Sequence, residues 1–218
     1  MFGRKKIAMG VAEFLGTGIL TLIVLGVSKS TIGIPYFVAI AAGLVVAAVT
    51  LALAQVSGAH VNPAITIGLW TTRRIKTVPA VAYIAAQFLG AGAAYWLYTY
   101  FVGQHWSNAG KFDGRVLAGE AVGAFIFSIA WASAAFQKLP LGQAAAVIGM
   151  GLTLGVIAAS AASGGILNPA VALGVRSWVW GTYVLGPILG AVIGFNLYAL
   201  LFAPAASLKE GTAKKAKK

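Results

Sequence analysis

Ser57-Gly58-Ala59-His60-Val61-Asn62-Pro63-Ala64 returns later in the chain as Ser163-Gly164-Gly165-Ile166-Leu167-Asn168-Pro169-Ala170. The second asparagine follows the first by 106 residues. Asparagine is a strong helix N-cap, and proline suits the first helical turn because it has no N–H to leave unpaired. Each Asn-Pro-Ala is therefore predicted to open a helix, over about 62–71 and about 168–177. About ten residues at about 1.5 Å each reach only halfway through a hydrocarbon core of about 30 Å. The glycines ahead of them (Gly58; Gly164 and Gly165) suit a tight re-entrant approach.

The likeness extends outward from these segments. Glu13-Phe14-Leu15-Gly16 aligns with Glu120-Ala121-Val122-Gly123 at a spacing of 107, and Leu89-Gly90-Ala91 and Tyr98 align with Leu189-Gly190-Ala191 and Tyr198 at a spacing of 100. The chain reads as one domain over 1–218 built by duplication, with repeat one at about 7–102 and repeat two at about 115–203. Apolar runs lie at 7–27, 35–57, 78–102, 116–136, 142–162 and 179–203. Each has the roughly 17–25 residues that a helix needs to span a bilayer. Three spans per copy is an odd number, so the two copies sit in opposite orientations. Sites in such inverted repeats lie between the copies near mid-membrane, where irregular backbone survives only if buried or lining a watery cavity.

Composition agrees with a membrane solvent. Of 218 residues, 60% are hydrophobic and 9% charged, with 28 glycines besides. A soluble domain carries about 25% charged residues. No period-2 alternation marks a barrel. The first run is too long for a cleaved signal peptide and holds Glu13 within it. The net charge of +12 is clustered at Arg4, Lys5, Lys6, then Arg73, Arg74, Lys76, then Lys138, then a Lys-rich tail at about 205–218 that reads as disordered. Six crossings put these twelve basic residues on one face and Lys29, Lys111, Arg115 and Arg176 on the other. The positive-inside rule then makes both termini cytoplasmic and explains the charge without nucleic acid. The absence of cysteine excludes disulfides and thiolate metal sites, and four acids with two histidines pair no nucleophile with a base. The expectation is no enzyme, no metal and no cofactor.

At these residues the chain resembles the aquaporin, or major intrinsic protein, family. The resemblance runs over Ala12 to Thr17, Ser57 to Gly68, Gln87, Glu120, the second Asn-Pro-Ala and Pro187. It implies an all-α membrane protein: a bundle of six transmembrane helices with two re-entrant half-helices. It also implies a homotetramer in a lipid bilayer with a pore in each subunit, conducting water and small neutral solutes. Short loops point to the plasma (inner) membrane of a prokaryote.

Asn62 and Asn168 cap their own helices and keep amide N–H groups for the pore. Pro63, Ala64, Pro169 and Ala170 complete the motifs, and carbonyls near Gly58, Ala59, His60, Gly164 and Ile166 supply acceptors. The two positive helix ends would reject cations. The family's outer filter maps onto Ala42, Val156, Gly165 and Val171; Val171 stands where water channels carry arginine, and Ala42 where they carry a ring. Leu173 stands where glycerol channels carry aspartate. The expectation is a wide, apolar filter passing solutes of the glycerol, urea or hydrogen peroxide class. Intramembrane acids are functional by default, while the resemblance makes Glu13 and Glu120 anchors for the re-entrant loops. His60 reads equally as a pore histidine or a loop hydrogen bond. Arg176 is read as an interfacial anchor, with replacement of the absent arginine as the alternative. Two other classes compete: a secondary transporter of a small solute, which would need carboxylates at its site, and a structural membrane protein with a closed pore.

Overall fold

The computed structural model describes residues 3–30, 34–108 and 110–204. The expected basic tail at 205–218 lies outside the described residues. Eight α-helices follow one another: α1 Arg4–Ser28, α2 Pro35–Ser57, α3 Pro63–Thr71, α4 Thr77–Val102, α5 Gly114–Gln137, α6 Leu141–Ala159, α7 Pro169–Gly174 and α8 Leu185–Leu201, the last entered through a π-helical turn at Trp180–Val184. Six spans, α1, α2, α4, α5, α6 and the π turn with α8, are long and apolar enough to cross a bilayer. Large apolar side chains such as Leu15, Leu44, Leu89 and Ile193 stand exposed on them. Such a surface suits lipid.

Packing follows the duplication. α1 lies against α4 as α5 lies against α8, and α2 crosses α6 between the copies. Each half-helix packs on the last long helix of the other copy, α3 on α8 and α7 on α4. Gly90 and Gly190, matched in the repeat, permit the two equivalent crossings. A Cβ at Gly90 would fall 2.1 Å from the Phe14 carbonyl oxygen, and one at Gly190 would fall 2.0 Å from that of Ala121.

One of the two half-helices ends differently from the sequence expectation. α3 stops at Thr71 as anticipated, but α7 stops at Gly174 rather than near 177. Both close with the same hydrogen-bond pattern: the Arg74 N–H donates to the Leu69 carbonyl and Arg73 to Trp70, while Ser177 donates to Ala172 and Arg176 to Leu173. This is the Schellman arrangement, with an arginine in the left-handed position that glycine usually takes. Arg73 has φ 62° and Arg176 φ 63°. With arginine where glycine is usual, no residue-type signal marked the earlier stop.

Gly190→Val should destabilise the α5–α8 crossing, since overpacking costs about 1–3 kcal/mol. Gly92→Ala, where an added Cβ meets nothing within 4 Å, should not. Thermal unfolding in detergent reads the difference. Equal midpoints for Gly190→Val and wild type would contradict this packing.

Candidate functional site: two opposed half-helices around a lumen

Neither loop that leads into a half-helix has regular backbone pairing, so its N–H groups need other acceptors at a depth without bulk water. Two carboxylates supply them. Glu13, fully buried on α1, accepts from the Ser57 hydroxyl (2.7 Å) and the His60 N–H (2.9 Å) on Oε1, and from the Val61 N–H (2.7 Å) and Gln87 Nε2 (2.8 Å) on Oε2. Glu120, fully buried on α5, accepts from the Ser163 hydroxyl (2.7 Å), the Ile166 N–H (2.9 Å) and the Leu167 N–H (2.6 Å). Each serine hydroxyl also accepts a loop N–H, from Ala59 at 3.0 Å and from Gly165 at 2.8 Å. The two loops are thus held by equivalent bonds.

The loops take left-handed backbone at matched positions: Ala59 (φ 51°) with Gly165 (φ 63°), and Val61 (φ 44°) with Leu167 (φ 52°). For branched Val61 this is an unfavourable conformation. A hydrogen bond to a charged group contributes about 1.5–3 kcal/mol. That is as large as the roughly 1–3 kcal/mol cost of a residue held in such a region. The carboxylates therefore fix a conformation that these residues would not adopt alone.

At the loop ends the two asparagines hold each other's loops. Asn62 Oδ1 accepts from the Ala64 N–H (2.8 Å), and its Nδ2 donates to the Leu167 carbonyl (2.9 Å). Asn168 Oδ1 accepts from the Ala170 and Val171 N–H groups, and its Nδ2 donates to the Val61 carbonyl (2.8 Å). An amide nitrogen carries two protons. One from each asparagine crosses to the opposite loop, leaving the other for whatever occupies the space between. Both side chains line one cavity there.

That cavity also gathers Ala42, Val156, Gly165 and Val171, together with His60, Gly164 and Ile166. Gly58 lies instead on a second cavity, and Ala59 lines neither. Small residues at Ala42 and Gly165 raise the expectation of a wide mouth; the lumen they border has a volume of about 40 Å³. Leu20, Val24 and Val38 close on the same space, and a Cβ at Gly165 would meet Val156 Cγ1 at 2.9 Å, so the bare glycine is covered rather than open. The lining is mostly apolar.

Arg176 does not line this lumen. Its Nε donates to the Trp106 carbonyl at 3.1 Å, and its guanidinium lies over the Tyr95 ring at 5.1 Å. The loop between α4 and α5 is stitched to the same segment by Asn108, which bonds the backbone of Trp178 in both directions. His60 serves both readings made of it: its Nδ1 sits 3.2 Å from Thr66 Oγ1 and its ring borders the lumen. Sequence reasoning did not assign the anchoring roles of Ser57, Ser163 and Gln87, although the two serines stood in the repeated segment. Nor did it reach the Tyr83 hydroxyl, which donates to the Ser57 carbonyl at 2.7 Å.

Comparison with known proteins gives a consistent result. The family described as Major intrinsic protein matches residues 4–198. A probable aquaporin, AqpM, of Archaeoglobus fulgidus is 34% identical over 189 residues, covering 76% of this chain and 76% of that protein. Aquaporin AqpM of Methanothermobacter marburgensis is 31% identical over 235 residues, covering 88% and 96%. Among solved structures, the aquaglyceroporin from Plasmodium falciparum superposes with a TM-score of 0.79 at 20% identity, covering 94% of this chain and 99% of that one, a likeness of fold.

The crossed amide bonds make a specific demand on Asn168. Asn168→Asp removes the donor to Val61 and puts an acceptor in its place, costing about 1–3 kcal/mol of stability. It also sets a negative charge between two helix ends of roughly half a positive charge each, so sodium leak in liposomes should rise. A folded variant with unchanged midpoint and unchanged leak would contradict the arrangement.

Proposed function

Because the chain belongs to the major intrinsic protein family, whose members are passive membrane channels and not enzymes, we propose that it conducts water and small neutral solutes through the lumen between its two Asn-Pro-Ala segments. The observation that carries this reading is the pair of crossed asparagines at the facing starts of two half-helices, both bordering one lumen. A solute oxygen there meets the remaining amide N–H groups. A cation meets two positive helix ends and an apolar wall that replaces none of its hydration. A neutral solute forfeits far less.

In this reading Asn62, Pro63, Ala64, Asn168, Pro169 and Ala170 form the central station, and Ala42, Val156, Gly165 and Val171 form an outer ring without charge or side-chain donor. Gly58, Ala59, His60, Gly164 and Ile166 supply polar backbone along the path, while Glu13 and Glu120 position the loops. The solutes are water and those of the hydrogen peroxide, urea or glycerol class. The chain is proposed to work as a homotetramer in the plasma membrane of a prokaryote, with both termini cytoplasmic. The archaeal relatives and the basic residues gathered on the termini face support that placement. A transporter would need free carboxylates for ion coupling, and both Glu13 and Glu120 are occupied by the loops.

Stopped-flow light scattering on proteoliposomes tests the proposal against water, hydrogen peroxide, urea and glycerol. Water permeability should exceed that of protein-free vesicles several-fold, without saturation and without dependence on a proton gradient. Permeability equal to protein-free vesicles would leave a structural protein with a closed pore. Saturable, gradient-driven flux would establish a transporter.

A further inference from the structure

Two cavities that follow one another along α2, α5 and α6 have no lining residue in common. The lumen around the asparagines ends at Val46, His60, Phe127 and Leu152. A roomier vestibule of about 250 Å³ on the termini side begins at Thr50, Gly58, Trp131 and Ile148. Along α2, α5 and α6 the wall passes from one cavity to the other within a single helical turn, from 46 to 50, 127 to 131 and 152 to 148.

The His60 and Trp131 rings meet at this partition. Their centroids are 5.6 Å apart with the planes at 87°, and Tyr83 backs His60 from the other side at 5.1 Å. The His60 ring is held in orientation. Thr66 Oγ1 gives its one proton to the Asn62 carbonyl and accepts from Gln87 Nε2, so it takes a further proton from His60 Nδ1. In the tautomer this network selects, Nε2 is left as an acceptor on the side of Gly58, where a Cβ would stand 3.2 Å from it. Trp131 is 7% exposed, and among the described residues its indole N–H has no acceptor; Thr50, 2% exposed beside the same vestibule, likewise has a hydroxyl oxygen without a partner among them.

We propose that Trp131, set against His60, is the residue that selects solutes by size in this channel, at a constriction on the termini side of the asparagines rather than at the outer ring. The inference rests on the reading of the lumen as a conducting path. The outer ring offers only aliphatic groups, whereas the partition sets the bulkiest side-chain type of the chain, an indole, edge-on against the His60 ring. A solute with both hydrogen-bonding capacities and a slim profile, such as water or hydrogen peroxide, crosses it. Branched or longer polar solutes, of the urea and glycerol class, are retarded there.

The test is the ratio of glycerol and urea permeability to water permeability in proteoliposomes, a quantity that general loosening of the fold does not move selectively. Trp131→Ala should raise both ratios several-fold, and Trp131→Phe, which keeps a ring, should raise them less. Thr50→Phe adds bulk at the same level and should lower them, which keeps the test decisive if the alanine variant does not fold. Wild type conducting water with ratios unchanged across the folded variants would overturn the proposal and leave the channel reading standing. A wild type no more permeable than protein-free vesicles, with Trp131→Ala equally silent, would overturn the channel reading and this proposal together. A silent wild type opened by Trp131→Ala would support the constriction.

Discussion

Backbone N–H groups at mid-membrane find no bulk water, and a loop that turns back there must give each of them to the protein. Glu13 and Glu120 meet that requirement. Each stands on the first helix of its repeat and reaches across to the loop that precedes a half-helix. Removing either carboxylate would leave two adjacent N–H groups unpaired, one of them on left-handed Val61 or Leu167. The asparagines could not then keep their places, since each is held both by its own helix start and by the opposite loop carbonyl. The lumen exists because both loops are pinned at once.

The two copies are not equal. Glu13 has four donors and Glu120 three, because the position matching Gln87 in repeat two is Pro187, which has no side-chain donor. α3 has nine residues and α7 six. The shorter half-helix leaves Arg176 and Trp178 free to bond the loop between α4 and α5 through Trp106 and Asn108.

Much of this was legible in the residues. The repeated Asn-Pro-Ala segments, with polar caps followed by proline, located both helix starts, and the long apolar runs located the spans to within a few residues, except that α6 ends at Ala159 rather than near 162. The pairing of each glutamate with its loop followed from the resemblance. What escaped depended on contacts made across the fold. The end of α7 carries an arginine in left-handed backbone where no residue type announces a stop. Leu20, Val24 and Val38 of α1 and α2 border the lumen and Val156 covers Gly165, and neither fact can be inferred from Ala42, Val156, Gly165 and Val171 taken alone. The Trp131–His60 contact joins residues 71 apart in sequence, with no periodicity linking them.

A single buried carboxylate holds one loop in place and, through the crossed asparagines, the opposite loop as well. Hydrogen–deuterium exchange of the detergent-solubilised protein, comparing wild type with Glu13→Gln, reads that dependence. Gln offers one acceptor oxygen and an N–H₂ group where the loop needs acceptors on both sides. Amides in the 58–64 segment should lose protection first and those in 163–168 should follow, while the long helices keep theirs. Wild-type protection of both segments in the variant would contradict it.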